Sequence, residues 1–219
     1  MTAVSRSLPR RRDERESGAV FVEFALVVPI LMLFALGIVE YGLGWKAAND
    51  VNAAARDAAR SATSATAYVT SDQTALTQVG TSLTPNELDG VEKVIVYKAT
   101  PVATEPPWTC LNLTPSPNST VGSSGSCNVY SKQQVEWVLA NQTSSAHFAT
   151  AAGCGSGTSK TWDYYWCPTD RNHSQRSGVL DYLGVYIKMK HDEVTHFGFG
   201  DRMIERTAVF RLEPKYGGE

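Results

Sequence analysis

Apolar residues first gather into an unbroken block, Ala19–Val39 (AVFVEFALVVPILMLFALGIV), in which Glu23 is the only charge. At 1.5 Å per residue these 21 residues make a helix of about 31 Å, close to one hydrocarbon thickness. Past the block the period changes. From Ala47 to Ala65 small apolar residues fall at 47/48, 51, 54/55, 58/59, 62 and 65, which is the α-helical repeat, and polar residues such as Asn49, Arg56 and Asp57 lie between them. The pattern predicts one long helix over about residues 20–68. A short helix over Asp72–Leu83, capped by Ser71, is expected to follow. Pro29 should kink the long helix rather than end it. The 47–65 stripe is nearly all Ala, with Val51 its only larger side chain. Such a stripe either covers its own domain or lets a helix of another subunit approach closely, and both can hold at different depths.

The second half reads differently. Thr84-Pro85-Asn86 and Asp89-Gly90 are turn signals. Val91–Ala99 is β-branched and partly alternating, and reads as a strand. Residues 100–128 hold five prolines and an SSGS run and read as a long loop. Tyr130–Gln142 has the spacing of a short helix, with Val135, Val138 and Leu139 on one face. Thr143–Ser177 is again loop-like and carries a Trp162/Tyr164/Tyr165/Trp166 cluster. Gly178–Asp192 alternates, with Val185, Ile187 and Met189 opposite Tyr186, Lys188 and Lys190; Arg202–Glu213 is a third strand, stopped by Pro214. The predicted class is α+β: a long N-terminal helix whose first half is transmembrane, then a small antiparallel-sheet, disulfide-stapled extracytoplasmic domain. The expected organisation is a basic leader over 1–18, a membrane helix over 19–45, a helical stalk over 46–83 and the α+β domain over 84–219.

Charge sharpens the membrane reading. The net charge of the 219 residues is −2, so there is no global basic field for nucleic acid. Residues 1–17 nonetheless carry five Arg against Asp13, Glu14 and Glu16. Arg on the N-terminal flank, against only Lys46 on the other, orients the N-terminus to the cytoplasm. Three readings compete for the apolar block. A cleaved secretory signal would need small residues just after it, for which Gly42-Leu43-Gly44 is a poor match crowded by Glu40 and Tyr41. A plain signal anchor needs nothing more. The third reading is a prepilin-type segment.

The four cysteines, Cys110, Cys127, Cys154 and Cys167, lie at intervals of 17, 27 and 13 residues in loop-like sequence, with no C-x-x-C pair. That spacing suits disulfides in an oxidising compartment better than a zinc site. Three pairings are possible, of which nearest neighbours, Cys110–Cys127 and Cys154–Cys167, close the shortest loops. No G-x-S-x-G, P-loop or H-E-x-x-H occurs, and Gly153-Cys-Gly-Ser-Gly lacks the context of a dinucleotide fingerprint. Of His147, His173, His191 and His196 only the last two are near one another, and they point to no shared metal site. No enzyme, metal or cofactor is expected.

The informative constellation is local: an Arg-rich tail, Gly18, then an apolar helix with Glu23 near its start. If the chain is cut after Gly18, Ala19 becomes the first residue and Glu23 the fifth. A carboxylate in hydrocarbon is costly and needs a reason. A free α-amino group on Ala19, or on a neighbouring subunit, would supply a counter-charge. Otherwise Glu23, one turn in, simply reaches the interfacial water. Residues 18–44, GAVFVEFALVVPILMLFALGIVEYGLG, resemble the N-terminus of TadE-like pseudopilins of the tight-adherence (Flp) pilus system. The likeness lies in Gly18, in Val-Glu-Phe-Ala around Glu23, in Pro29 and in Gly-Ile-Val-Glu-Tyr-Gly at 37–42. It continues in Ala-Ala-Arg-Asp-Ala-Ala-Arg at 54–60 and in the closing Arg211-Leu-Glu-Pro. The resemblance implies a structural minor pilin of a bacterial cytoplasmic membrane. It also implies cleavage at Gly18–Ala19, an assembly role for Glu23, and as partners a prepilin peptidase, the inner-membrane pilus platform, other pilins and membrane lipid. The alternative is a single-pass anchored extracytoplasmic binding or adhesion protein whose Trp162–Trp166 loop contacts a ligand.

Overall fold

The computed structural model describes residues 13–65, 68–102, 104–173, 180–193 and 200–214. The expected leader falls largely outside them. The chain divides into two compact units, Met1–Leu43 and Gly44–Glu219.

Helix α1 spans Asp13–Thr63. It begins upstream of the residue-20 start expected from the apolar block, because Glu14, Arg15 and Glu16 are themselves good helix formers. It ends five residues before the expected 68, where Thr63 and Ser64 turn their hydroxyls back on the Arg60 carbonyl. The helix runs through Pro29, whose missing N–H leaves the Ala25 carbonyl without its usual partner.

Within the second unit the Ala stripe is core. Ala47, Val51, Ala54, Ala55, Ala58, Ala59 and Ala62 are all buried. They pack with Leu76 and Val79 of helix α2 (Ser71–Ser82) and with one face of the sheet. Over these residues the stripe therefore covers its own domain. A capping box, Thr84 with Glu87, and Pro85 in the first turn make Pro85–Asp89 a short helix, α3, where turns alone were expected.

The sheet has five antiparallel strands in the order β2-β3-β1-β4-β5. Strand β1 (Val91–Ala99) is central, flanked by β3 (Cys127–Tyr130) and β4 (Tyr182–His191), with β2 (Val121–Ser123) and β5 (Arg202–Arg211) at the edges. Three of these strands were legible in the alternation. The β2–β3 hairpin was not, because its strands are three and four residues long inside the Pro-rich stretch. Its turn is made by Gly125, which sits at φ +67° where other residues are strained. A four-residue helix, α4 (Trp108–Leu111), precedes the hairpin. Helix α5 (Lys132–Ala140) follows it with a second capping box, Ser131 with Gln134.

The two faces of the sheet have different cover. Val94, Val96, Val185, Ile187 and Met189 face the helices. Ile95, Tyr97, Val129 and Tyr186 face the loop closed by Cys110 and Cys127. Tyr97 stands opposite Gly184 in the β1–β4 register. A Cβ at Gly184 would lie 2.2 Å from the Tyr97 ring. The bare glycine lets that ring lie across β4, so that its hydroxyl bonds Thr207 on β5 at 2.8 Å and donates to the Thr104 carbonyl. Burial pushes the Tyr97 phenol up to about 12, so it remains a donor at all working pH values.

Gly184→Ala is expected to destabilise the domain by about 1–3 kcal/mol, the usual scale of overpacking. In the Gly184→Ala, Tyr97→Ala double variant the two costs should not add, because the added Cβ meets ring atoms that the second change removes. Urea unfolding followed by near-ultraviolet circular dichroism of the full chain in detergent checks both.

Candidate functional site

Two regions carry side chains beyond the needs of the core. The first is the apolar half of α1. Its Gly18–Thr63 portion contains an 18-residue window of mean hydropathy 2.6, none of it buried, and is long and apolar enough to cross a membrane. Phe21, Phe24, Leu31 and Phe34 are each more than half exposed. Gly18 has open space around its Cα, and the helix is continuous through Gly18 and Ala19. Glu23 is exposed on the same helix, among those apolar side chains.

The second region is the pair of long loops, each closed by a disulfide. Cys110 pairs with Cys127, and Cys154 with Cys167. Of the three possible pairings the fold takes the nearest-neighbour one. Backbone and side-chain bonds tie the two loops together: the Gly125 N–H donates to the Tyr165 carbonyl at 2.7 Å, and the Thr120 hydroxyl to the Thr161 carbonyl at 2.8 Å.

Beneath the second loop lies a buried polar knot. Asp72, in the first turn of α2, pairs with Arg171 at 2.6 Å, and both side chains are fully buried. The Tyr130 hydroxyl and the Asn128 amide, both on β3, donate to the other Asp72 oxygen at 2.6 and 2.9 Å. Arg171 also donates to the Ser71 hydroxyl and the Trp166 carbonyl, at 2.6 and 2.9 Å, and its guanidinium stacks 4.0 Å from the Trp166 ring. Asn128 accepts from the Trp166 N–H at 3.0 Å. Ser71 is thus not the expected cap of α2. Thr70 precedes the helix without a side-chain bond, and the Ser71 hydroxyl is engaged by Arg171 instead. Burial, with Asp72 beside it, holds the Tyr130 hydroxyl protonated well above the ordinary range.

A second carboxylate, Asp163, lies next to the knot. It accepts from the Ala149 N–H at 3.0 Å and the Thr161 hydroxyl at 2.6 Å. Burial, reinforced by the Asp72 charge, pushes its carboxyl up to about 6. Sequence reasoning saw the aromatic cluster here but not Asp72, Arg171 or Asp163, because no spacing signal links residues so far apart in the chain. Among the described residues no group of three or more His, Cys, Asp or Glu side chains is placed to hold a metal ion. His196, one of the pair singled out in the sequence, lies outside the described residues.

Residues 18–60 match the model of the TadE-like protein family. The matched segment runs from Gly18 through the apolar half of α1 and most of the Ala stripe. No curated protein and no solved structure matches the chain.

Asp72→Ala leaves the Arg171 guanidinium buried without its counter-ion and should cost about 3–5 kcal/mol. Tyr130→Phe, which removes one hydrogen bond to a charged group, should cost about 1.5–3 kcal/mol. Equal costs in denaturant titration would show that the charge pairing is not what the knot supplies.

Asp163 adds a pH dependence. The folded carboxyl keeps its proton up to about 6, whereas the ordinary value is 3.8, so between these limits the folded state binds more protons than the unfolded one. This group's contribution therefore weakens as pH rises through that window and is most favourable below it. Asp163→Asn should flatten the fall in melting temperature between pH 4.5 and pH 7, read by thermal circular dichroism.

Proposed function

We propose that this protein is a minor pilin or pseudopilin of a tight-adherence pilus, held in a bacterial cytoplasmic membrane by the apolar half of α1. The family match supports the coarser statement, a protein associated with that pilus system and with other pilins. The finer role rests on one observation. Within the matched segment Gly18 precedes an exposed apolar helix in which Glu23 is the only charge up to Val39. In this reading a prepilin peptidase removes residues 1–18, and Ala19 becomes the new N-terminus. The Arg-rich leader keeps the cut on the cytoplasmic side, and the unit beginning at Gly44 lies outside the membrane. The inner-membrane platform then gathers the chain with other pilins. The role is structural rather than enzymatic.

Glu23 supplies the mechanism. In lipid a lone carboxylate on a helix costs energy, offset by reaching toward the interface. When apolar helices leave lipid and pack together, an α-ammonium group would be expensive to bury alone, and a carboxylate beside it removes that cost. The acid is therefore neutral or mildly unfavourable for insertion and favourable for assembly.

Processing between Gly18 and Ala19 is tested by the N-terminal mass of the protein recovered from membranes. Gly18→Val should block the cut, since a peptidase that accepts glycine there has no room for a branched side chain. A mature chain beginning at Met1 would instead favour the anchored binding protein.

Glu23→Val should leave insertion and cleavage intact and abolish piliation, with Glu23→Asp intermediate because it keeps the charge but loses reach. Sheared-pilus yield beside an immunoblot for processed protein reads this. Normal piliation with the Val variant as sole copy would exclude Glu23 as an assembly contact.

A further inference from the structure

Between the two disulfide-closed loops lies a cleft of about 800 Å³, within the range of small-ligand sites. One wall is Asn118, Ser119 and Thr120, from the loop closed by Cys110–Cys127. The opposite wall is Thr158, Lys160 and Tyr165, from the loop closed by Cys154–Cys167. Helix α5 contributes Gln133 and Trp137, and Pro117, His147 and Trp162 complete the lining.

The aromatic groups are held rather than loose. The His147 ring stacks on Trp162 with centroids 4.3 Å apart and planes 14° apart. Trp137 meets both rings edge-on, at 4.7 Å from His147 and 5.3 Å from Trp162. Phe148, in the core, presses on Trp162 from below at 5.6 Å. His147 is exposed and Trp137 half-buried, so both offer ring surface to the cleft. None of this stack serves the knot around Asp72.

The polar groups have one character. Asn118, Ser119, Thr120, Gln133 and Thr158 are all amides or hydroxyls, which both donate and accept. That matches a ligand whose own groups both donate and accept, namely sugar hydroxyls. Flat aromatic rings match the C–H face of a pyranose, which is apolar at its centre and polar at its rim. Among the described residues no Asp or Glu lines the cleft. Its one permanent charge is Lys160, whose ammonium lies 4.2 Å from the centre of the Tyr164 ring and 5.7 Å from that of Tyr165. Among the described residues Lys160 makes no ion pair. Its positive charge is set in the wall with no carboxylate of the described residues paired to it.

From this geometry we infer that the cleft is a glycan-binding site, taking a sugar ring against Trp137 and His147 with a carboxylate of the sugar on Lys160. The partner is an acidic polysaccharide built on uronic acids. A nucleotide, with several phosphate charges, would find only one fixed cation here, and an apolar peptide would strand the amides and hydroxyls. The site belongs wholly to the unit beginning at Gly44 and stands whether or not the chain enters a pilus.

The test uses the full chain in nanodiscs, free of glycoside detergent, at 150 mM salt. Isothermal titration is run with tetragalacturonate and with maltotetraose, an uncharged tetrasaccharide of glucose. Tetragalacturonate should bind one to one and at least about tenfold more tightly than maltotetraose. Lys160→Gln should remove that preference while sparing residual binding, and Trp137→Ala should abolish binding of both sugars. Lys160→Gln should keep the wild-type melting temperature because Lys160 is exposed, whereas Trp137 also packs against the core, so its variant should melt earlier and is read only at a temperature where it stays folded. A variant that does not stay folded is replaced by Gln133→Ala or Thr158→Val at the same cleft. Absence of tetragalacturonate binding overturns the proposal. Equal binding of the neutral sugar overturns the role of Lys160, and binding that survives Trp137→Ala places the site elsewhere.

Discussion

The unit beginning at Gly44 depends on the contact between Asp72 and Arg171. Two full charges taken out of water are unfavourable unless their geometry is good and further hydrogen bonds replace most of what water supplied. Here Asp72 takes Arg171 on one oxygen and Tyr130 and Asn128 on the other. Arg171 spreads over Ser71, the Trp166 carbonyl and the Trp166 ring. Four separate pieces of chain meet at this point: the start of α2, strand β3, the residue before Cys167 and the stretch that follows it. An apolar contact would hold them together but would tolerate sliding. A network of directional bonds in low dielectric does not, even with the Arg171 Nε–H left without a partner, and it sets the position of the second loop relative to the sheet.

That constraint makes the long loops tolerable. Irregular segments of this length usually bury too few backbone partners to hold one conformation. Residues 104–126 gain their order from Cys110–Cys127 and the β2–β3 hairpin, residues 143–173 from Cys154–Cys167 and the knot. The loops are also bonded to each other through Gly125 and Thr120. A ligand cleft needs walls that keep their spacing, and two stapled loops joined edge to edge supply them.

Helix α1 solves a different problem with the same backbone. Its apolar half carries Phe, Leu, Ile and Val outward, where only lipid or other apolar helices can cover them. The half that follows carries Ala at nearly every inward position and is buried against α2 and the sheet. Large side chains suit a surface that must be solvated by hydrocarbon. Alanines suit one where a sheet and a second helix approach closely. The change of residue size along one helix marks a change of environment.

Much of this was legible in the residues alone because it is local. The apolar block, the Ala repeat, the alternation in β1, β4 and β5 and the spacing of Val135 and Val138 each reflect a period of one element. Glu23 stood out because a charge in an apolar run violates that period. What the sequence left open depends on distance along the chain. Three cysteine pairings were possible, with nearest neighbours expected for their short loops, and only the fold, by bringing α4 against β3, decided it. The short strands β2 and β3 have too few residues to show alternation and exist because β1 offers an edge. Asp72 and Arg171 look like ordinary surface charges until the sheet brings the start of α2 and the second loop together. His147 and Lys160 became cleft residues only when two loops were tied side by side. Local periods are written in neighbouring residues, whereas pairing partners are chosen by the energy of burying groups that only a complete fold places in contact.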